Sequence, residues 1–161
     1  MIAVALVSIV ALLVIFTSLK TLAVYERGVV YRLGRVLPDA VGPGLVLTIP
    51  MIDRLVRVSV AEQKIDLPRV AVTTTGGRSE MDFSIAFRVL DPVRATTEVS
   101  EYREAVTTLA RNTIESGSGE ADWHEISARV RSQLDEAVRP WGIQIRSVKV
   151  NAKRFGTPAS R

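Results

Sequence analysis

Residues 1–19 form an apolar run in which Ser8, Thr17 and Ser18 are the only polar side chains and none is charged. A helix of this length rises roughly 28 Å, which matches the ~30 Å hydrocarbon core of a bilayer. A helix also satisfies its own backbone hydrogen bonds inside lipid. The pattern therefore predicts a transmembrane helix over residues 1–19.

Two other structures compete for this segment. A cleaved signal peptide has a basic residue before a shorter apolar core and a small-x-small cleavage site after it, and this sequence has neither. A buried core helix is the second alternative, but a run this long exceeds what a small domain usually covers. The nearby basic residues all follow the segment: Lys20, Arg27, Arg32 and Arg35. The positive-inside bias then places the domain after this single span in the cytoplasm.

Beyond the apolar segment, hydrophobic positions alternate with polar ones, which predicts β-strands. The alternation indicates strands at 25–36, 54–60, 64–74 and 81–90, and a short apolar strand is predicted at 45–50. Turns rich in Gly and Pro separate the runs, and Pro68 marks an edge or a break within one of them. The last run places its large side chains on one buried face: Met81, Phe83, Ile85, Phe87 and Val89. A buried strand is also favoured for the apolar segment 45–52, with contact to lipid headgroups as the alternative.

The hydrophobic period lengthens to about 3.6 residues after Asp91 and Pro92, which indicates a helix. Asp at the cap and Pro in the first turn form a helix start signal, because Pro lacks an N–H that would be unpaired there. This helical region has a break near Ser100 and ends at Gly117.

A second helix is predicted from Asp122, with Glu125 in a capping-box position. It ends at Pro140, with Gly142 as its C-cap, and a final strand covers 143–150. Strands followed by helices and one returning strand define the α+β class. We expect a curved antiparallel sheet with helices packed on one face.

The composition of the 161-residue chain, with 47% hydrophobic and 24% charged residues, excludes a disordered protein and fits one compact domain after the span. The net charge of +4 beside a membrane predicts attraction to anionic lipids. Nucleic acid is disfavoured as a partner, because the basic residues are scattered among acids and aromatic side chains are few. The absence of cysteine excludes disulfides and thiol catalysis.

No residues gather into a catalytic pattern. His124 is the only histidine, and it lies in the first turn of a helix, where a capping or solvated role is favoured over a Ser–His–Asp triad. The sequence has no Gly-rich phosphate loop and no ligand spacing for zinc or calcium. We therefore predict no enzyme activity, no cofactor and no metal site.

Several motifs occur in a specific order: YERGVVYRLGRV at 25–36, GPGLVLTIP at 42–50, SIAFRV at 84–89 and LDEAVRPWGIQI at 134–145. In this order they resemble the SPFH (band 7) superfamily, and specifically its stomatin and slipin branch. The resemblance extends from about Tyr25 to about Val150. It implies an SPFH domain over residues 20–151 and leaves 152–161 as a disordered tail.

The resemblance implies a non-enzymatic membrane scaffold that oligomerises, organises membrane microdomains and binds or modulates a partner channel or membrane protease. The alternative is a regulatory subunit of a membrane protease complex; a secreted binding module would require the signal peptide. Glu26, Arg27 and Trp141 are suspected contacts with other copies or with the membrane. For Glu26 and Arg27 the alternative is that they are solvated surface charges. Trp141 would fill a space in the core or in an interface.

Two departures from the family pattern concern the C-terminal part. Family members usually continue into a long Ala/Glu/Lys-rich helix that forms a coiled coil, and this coiled coil is absent here, because the sequence ends at Arg161. The chain is then either a fragment or a minimal homologue, and we expect small oligomers through domain contacts. Pro140 is the second departure, because it shortens the last helix.

Overall fold

A computed structural model describes residues 8, 9, 13, 16–74, 77–99, 101–117 and 123–151. The chain forms two compact units, Met1–Ala61 and Glu62–Arg161. Most of the predicted span and the whole predicted tail, 152–161, lie outside the described residues. Residues 8, 9, 13 and 16–18 are helical, and no helix within the described part is long and apolar enough to cross a membrane.

The first unit contains two small antiparallel sheets. Its strands are β1 (Leu19–Leu22), β2 (Glu26–Arg32), β3 (Arg35–Val36), β4 (Gly44–Leu47) and β5 (Asp53–Ser59). One sheet pairs β1 with β4, and the other has the order β3-β2-β5. Strand β1 was not predicted, because its sequence LKTL directly follows the apolar segment and its first residue, Leu19, continues that run.

The strand predicted over residues 25–36 is wrong as a continuous element. The chain reverses at residues 33–34, so that β2 and β3 form a hairpin, with Leu33 at φ +49° and Gly34 at φ +81°. A positive φ at both central positions is the type I′ turn that connects twisted strands. A two-residue turn leaves the alternation unchanged, so the pattern alone did not reveal it.

The second unit packs helices on an antiparallel sheet of order β6-β7-β8. Its elements are β6 (Gln63–Thr74), β7 (Gly77–Val89), α1 (Pro92–Thr97), α2 (Tyr102–Ser116), α3 (Trp123–Val138), a 3-10 turn (Arg139–Trp141) and β8 (Ile143–Asn151). The predicted break between the first helices is confirmed, because α1 ends at Thr97 and α2 begins at Tyr102. The predicted start at Asp122 and the turn residue Gly76 lie outside the described residues.

The core of the second unit confirms the predicted buried faces. All the large apolar side chains assigned to the inner face of β7 are buried, and the helices contribute a fully buried stripe: Val106, Ala110, Ile114, Ile126, Val130, Leu134 and Val138. Ala86, which alternates with these side chains along β7, is buried as well. Its methyl group lies in the central strand, between its cross-strand partners Lys64 and Ser147.

Pro68 is confirmed as a break, because the pairing of β6 with β7 shifts register between Leu67 and Val70. Asp91 caps α1 by accepting hydrogen bonds from two backbone N–H groups, and Gly142 is the left-handed C-cap of the 3-10 turn at φ +68°. The α+β class is thus confirmed. The expected single curved sheet is wrong, because the described strands form three separate antiparallel sheets.

Candidate functional site

The sheet of β1 and β4 carries exposed leucines on one face. Leu19 lies opposite Leu47, and Thr21 lies opposite Leu45, so these four side chains share a face. Leu45 and Leu47 are each 71% exposed, and Leu19 is also exposed. We call Leu19, Leu45 and Leu47 the apolar strip. The buried strand favoured for residues 45–52 is therefore wrong for Leu45 and Leu47. Their exposure fits the alternative, which is contact with lipid headgroups.

The other face of the same sheet is buried, because Leu22 and Val46 point into the first unit. The sheet therefore has one covered side and one apolar side that no described residue covers. Contiguous exposed apolar side chains on a soluble surface are unusual and mark a surface that contacts a partner or a membrane.

The apolar strip begins where the predicted span ends. The carbonyl of Ser18 accepts hydrogen bonds from the backbone N–H of Thr48 at 2.8 Å and from its hydroxyl at 3.0 Å. Both residues are buried. These bonds fix the residue before β1 to the residue after β4, so the strip lies directly beside the segment that we expect to enter the membrane.

A second exposed apolar group follows Thr48. The loop at residues 49–52 is closed by hydrogen bonds from the N–H groups of Ile52 and Asp53 to the carbonyl of Ile49, at 3.3 and 2.9 Å. Met51 has φ +66° and is 104% exposed. Leu33 is 79% exposed, and its backbone N–H donates to the carbonyl of Ile52 at 3.1 Å. We call Leu33, Ile49, Met51 and Ile52 the apolar tip.

An ion pair holds the base of the apolar tip. Arg32 donates from Nε to Oδ1 of Asp53 at 2.8 Å and from Nη2 to Oδ2 at 3.0 Å, while the backbone N–H of Ile49 donates to Oδ2 at 2.9 Å. The Asp53 side chain is 1% exposed. The hydrogen bond from Arg32, and after it that from Ile49, lowers the pKa of Asp53 to about 2. The same pair raises the pKa of Arg32.

Sequence reasoning missed the role of Arg32 and Asp53. Arg32 stands in the quoted motif at 25–36 and Asp53 lies three residues after the motif at 42–50, but the whole β3–β4 segment separates them. Their pairing follows from the register in which β2 and β5 align, where Arg32 lies opposite Asp53. The available signals for this pairing were the acidic Asp53 after Ile49-Pro50 and the basic Arg32 before the Leu33-Gly34 turn.

Glu26 and Arg27, the suspected contact residues, lie side by side at the start of β2 and are half-buried. The Glu26 carboxylate accepts from the N–H of Ala23 at 3.0 Å, and Arg27 Nη1 donates to the carbonyls of Val24 and Glu26 at 3.3 and 3.0 Å. Both side chains therefore stabilise the turn between β1 and β2. That turn exposes the apolar side chains of Val24 and Tyr25.

Trp141, the third suspected residue, belongs to the second unit. It is the last residue of the 3-10 turn Arg139–Trp141 and is half-buried. The described residues contain no group of three or more acidic or histidine side chains that could hold a metal ion. The arrangement in the first unit is thus one of exposed apolar side chains with arginines nearby.

These features define an α+β domain with an exposed apolar surface in its first unit. The family model described as SPFH domain / Band 7 family matches residues 20–156, and the chain belongs to this family. The resemblance seen in the sequence motifs is thereby confirmed.

Several relatives have stomatin in their names. A stomatin homologue of Pyrococcus horikoshii is 33% identical over 147 residues, which cover 86% of this chain and 55% of the relative. Stomatin-like protein 3 of Homo sapiens is 31% identical over 156 residues, covering 91% and 54%. Stomatin-1 of Caenorhabditis elegans is 29% identical over 155 residues, covering 91% and 47%. The chain spans about half the length of these relatives.

Proposed function

We propose that this protein is a non-catalytic, membrane-anchored scaffold of the stomatin type. In this role it self-associates, organises a membrane microdomain and holds a partner membrane protein such as a channel or a protease. Membership of the SPFH family and the similarity to stomatins support a scaffold role in general. The observation that carries the proposal is the apolar strip, because it lies beside Ser18, where the predicted span meets the folded domain.

A bilayer is a suitable partner for the strip. Transfer of a leucine side chain from water to an apolar environment contributes about 1.5–3 kcal/mol when burial is complete. The strip contains three leucines on one side of a two-stranded sheet, and each is exposed. Contact with the acyl chains would remove this surface from water and hold the first unit against the membrane.

Charge adds to the attraction for the membrane. Lys20 on β1 is exposed beside the strip; because it pairs with Val46, its side chain lies on the face of the sheet opposite Leu19. A basic side chain close to an anionic membrane contributes on the order of 1 kcal/mol to binding. In this proposal the folded domain lies on the cytoplasmic side, where anionic lipids are abundant and where the positive-inside bias places it.

Self-association completes the proposed mechanism. Each copy has its own membrane contacts, and lateral association of several copies turns weak individual contacts into strong overall binding through avidity. Trp141 on the second unit and Glu26 with Arg27 on the first are the residues we propose at contacts between copies or with the membrane.

The experiment is a mass measurement of the full chain in lipid nanodiscs, combined with alkaline extraction of membranes. We expect the chain to stay in the membrane pellet with its N-terminus intact and to give a defined multimer by mass photometry. Trp141→Ala and Glu26→Gln should lower the multimer mass while circular dichroism stays unchanged. Release of the chain by alkali would disprove membrane anchoring, and a strict monomer would disprove autonomous scaffolding.

A further inference from the structure

Arginines surround the apolar tip at the ends of three strands. Arg32 ends β2, Arg35 begins β3 as the cross-strand partner of Arg32, and Arg54 follows Asp53 in β5. All three are exposed. The charge of Arg32 is directed at Asp53, whereas Arg35 and Arg54 form no ion pair within the described part of the chain. Two uncompensated guanidinium groups therefore lie next to an exposed apolar loop.

The backbone of the tip is unusual. Leu33 and Met51 both have positive φ, at +49° and +66°, a region that is unfavourable for side chains of this size. Strained backbone that the surrounding structure maintains is concentrated at functional sites. Both residues adjoin the Arg32–Asp53 ion pair and the bonds to Ile49, and both of their large apolar side chains are exposed.

We propose that the apolar tip inserts into the headgroup region of the bilayer and that Arg35 and Arg54 bind the phosphates of anionic phospholipids there. This inference rests on the proposed function and assigns a lipid class to the same unit. Guanidinium groups donate paired hydrogen bonds to phosphate oxygens, which makes arginine well suited to this contact. Apolar side chains bordered by basic ones are also the pattern of interfacial membrane binding.

The position of the tip in the chain identifies the bilayer as its occupant. Ile49 directly follows Thr48, whose N–H and hydroxyl bind the carbonyl of Ser18 at the end of the predicted span. The tip and the segment that we expect to enter the membrane therefore meet at the same end of the first unit.

The chain contains no cysteine, so a single introduced cysteine can be labelled without interference. We would attach an environment-sensitive fluorophore to Met51→Cys in the full chain and reconstitute it into nanodiscs of phosphatidylcholine, with or without phosphatidylserine. Nitroxide-labelled lipids then report contact by quenching. We expect strong quenching and a blue-shifted emission in discs that contain phosphatidylserine, and weaker effects in phosphatidylcholine alone. Inorganic phosphate added to the neutral discs should change neither signal.

The contribution of the arginines to insertion is tested with the same fluorophore on Met51→Cys. Each arginine near an anionic surface contributes about a fivefold preference, so Arg35→Gln with Arg54→Gln should lower the ratio of inserted to solvent-exposed label roughly 25-fold. The control for each single substitution, Arg35→Gln or Arg54→Gln, is Arg57→Gln, which removes one charge from an exposed residue on the same strand as Arg54 and should leave the ratio unchanged. A label at the exposed Asp39→Cys should stay in water in all discs.

The outcomes separate this inference from the proposed function. If the chain fails to remain with the discs, the proposed function is wrong. If it remains with them while the label at position 51 stays in water, only the insertion of the tip is wrong. A label that is shielded equally in neutral and anionic discs, but is not quenched by nitroxide lipids, would show a protein occupant. The comparison of Met51→Cys label quenching in discs with and without phosphatidylserine needs no arginine variant. It therefore remains decisive if the double variant misfolds.

Discussion

Arg32 and Asp53 lie opposite each other on β2 and β5 and are joined by two parallel hydrogen bonds of 2.8 and 3.0 Å. Asp53 also accepts from the N–H of Ile49, so one buried carboxylate connects a strand end to the loop that carries Met51. A neutral side chain at position 53 could not accept both arginine bonds with the strength of a charge. We therefore expect the conformation of the apolar tip to depend on the ionisation of Asp53.

Acid should weaken the first unit through this residue. The folded-state pKa of Asp53 is about 2, below the ordinary value of 3.8. Its contribution to stability is therefore complete above the ordinary pKa and is lost as the pH falls from about 4 to about 2. We expect the thermal unfolding midpoint of the full chain in detergent micelles to decrease across this window, as followed by circular dichroism.

The control for this prediction is Asp53→Asn. The variant should be less stable than the unaltered chain at neutral pH, because Arg32 loses its charged partner. It should also lack the part of the acid dependence that belongs to Asp53. An identical pH profile for both chains would show that other carboxylates cause the acid sensitivity.

Gly28 is predicted to accommodate a side chain only if its neighbours shift. A Cβ added there would lie 2.6 Å from Leu55 Cδ1 and 2.7 Å from Val41 Cγ2, and both backbone groups of Gly28 are bonded to Val41. Gly28→Ala should cost about 1–3 kcal/mol through overpacking. Gly42→Ala is the matched control, because a Cβ there meets nothing within 4 Å, and it should change stability by less than about 0.5 kcal/mol. Urea unfolding of both variants measures the difference, and equal costs would contradict the packing argument.

Much of the core packing in the second unit could be predicted from the sequence. The alternation in β7 and the stripes of α2 and α3 gave the buried faces of the second unit, because burial on one side imposes period 2 or about 3.6 on the residues. The role of Gly142 as a C-cap was also expected. Family membership followed from the order of several motifs.

The candidate site could not be predicted in the same way. Leu45 and Leu47 have the composition of a buried strand, and only their pairing with the short β1 shows that their face is left uncovered. The hairpin turn at Leu33 preserves the alternation and so was hidden. The ion pair between Arg32 and Asp53 depends on strand register, which local sequence does not determine.

Gly142 and Gly34 allow backbone strain to be separated from steric clash. Both have positive φ, at +68° and +81°. A Cβ on Gly142 would lie 2.5 Å from the Asp91 Cβ and 2.9 Å from its carbonyl oxygen, whereas one on Gly34 meets nothing within 4 Å. Gly34→Ala should cost roughly 1–2 kcal/mol from the left-handed conformation alone. Gly142→Ala should cost about 1–3 kcal/mol more, because the clash adds to the strain.

The measurement is again urea unfolding of the full chain in micelles. The carbonyl of Gly142 accepts from the N–H groups of Leu90 and Asp91 at 2.8 and 3.0 Å, so displacement of this residue also disturbs the cap of α1. An equal cost for the two substitutions would show that the chain relaxes around position 142 and that the contact with Asp91 is unimportant.

The apolar strip gives the last prediction. Thr21 shares the outward face of β1 with Leu19 and lies opposite Leu45, so a fluorophore on Thr21→Cys reports the surroundings of the strip. In nanodiscs we expect nitroxide-labelled lipids to quench this label, and Leu45→Ser with Leu47→Ser to reduce the quenching. Each lost leucine removes about 1.5–3 kcal/mol of favourable transfer to lipid.

The matched control for the strip is Leu90→Ser, which replaces an exposed leucine of the second unit. It should leave the quenching of the label at position 21 unchanged. If all three substitutions reduced quenching equally, the loss would reflect general hydrophobicity rather than a defined surface. If none did, the span alone would hold the chain at the membrane, and the exposed face of β1 and β4 would be free to bind another protein.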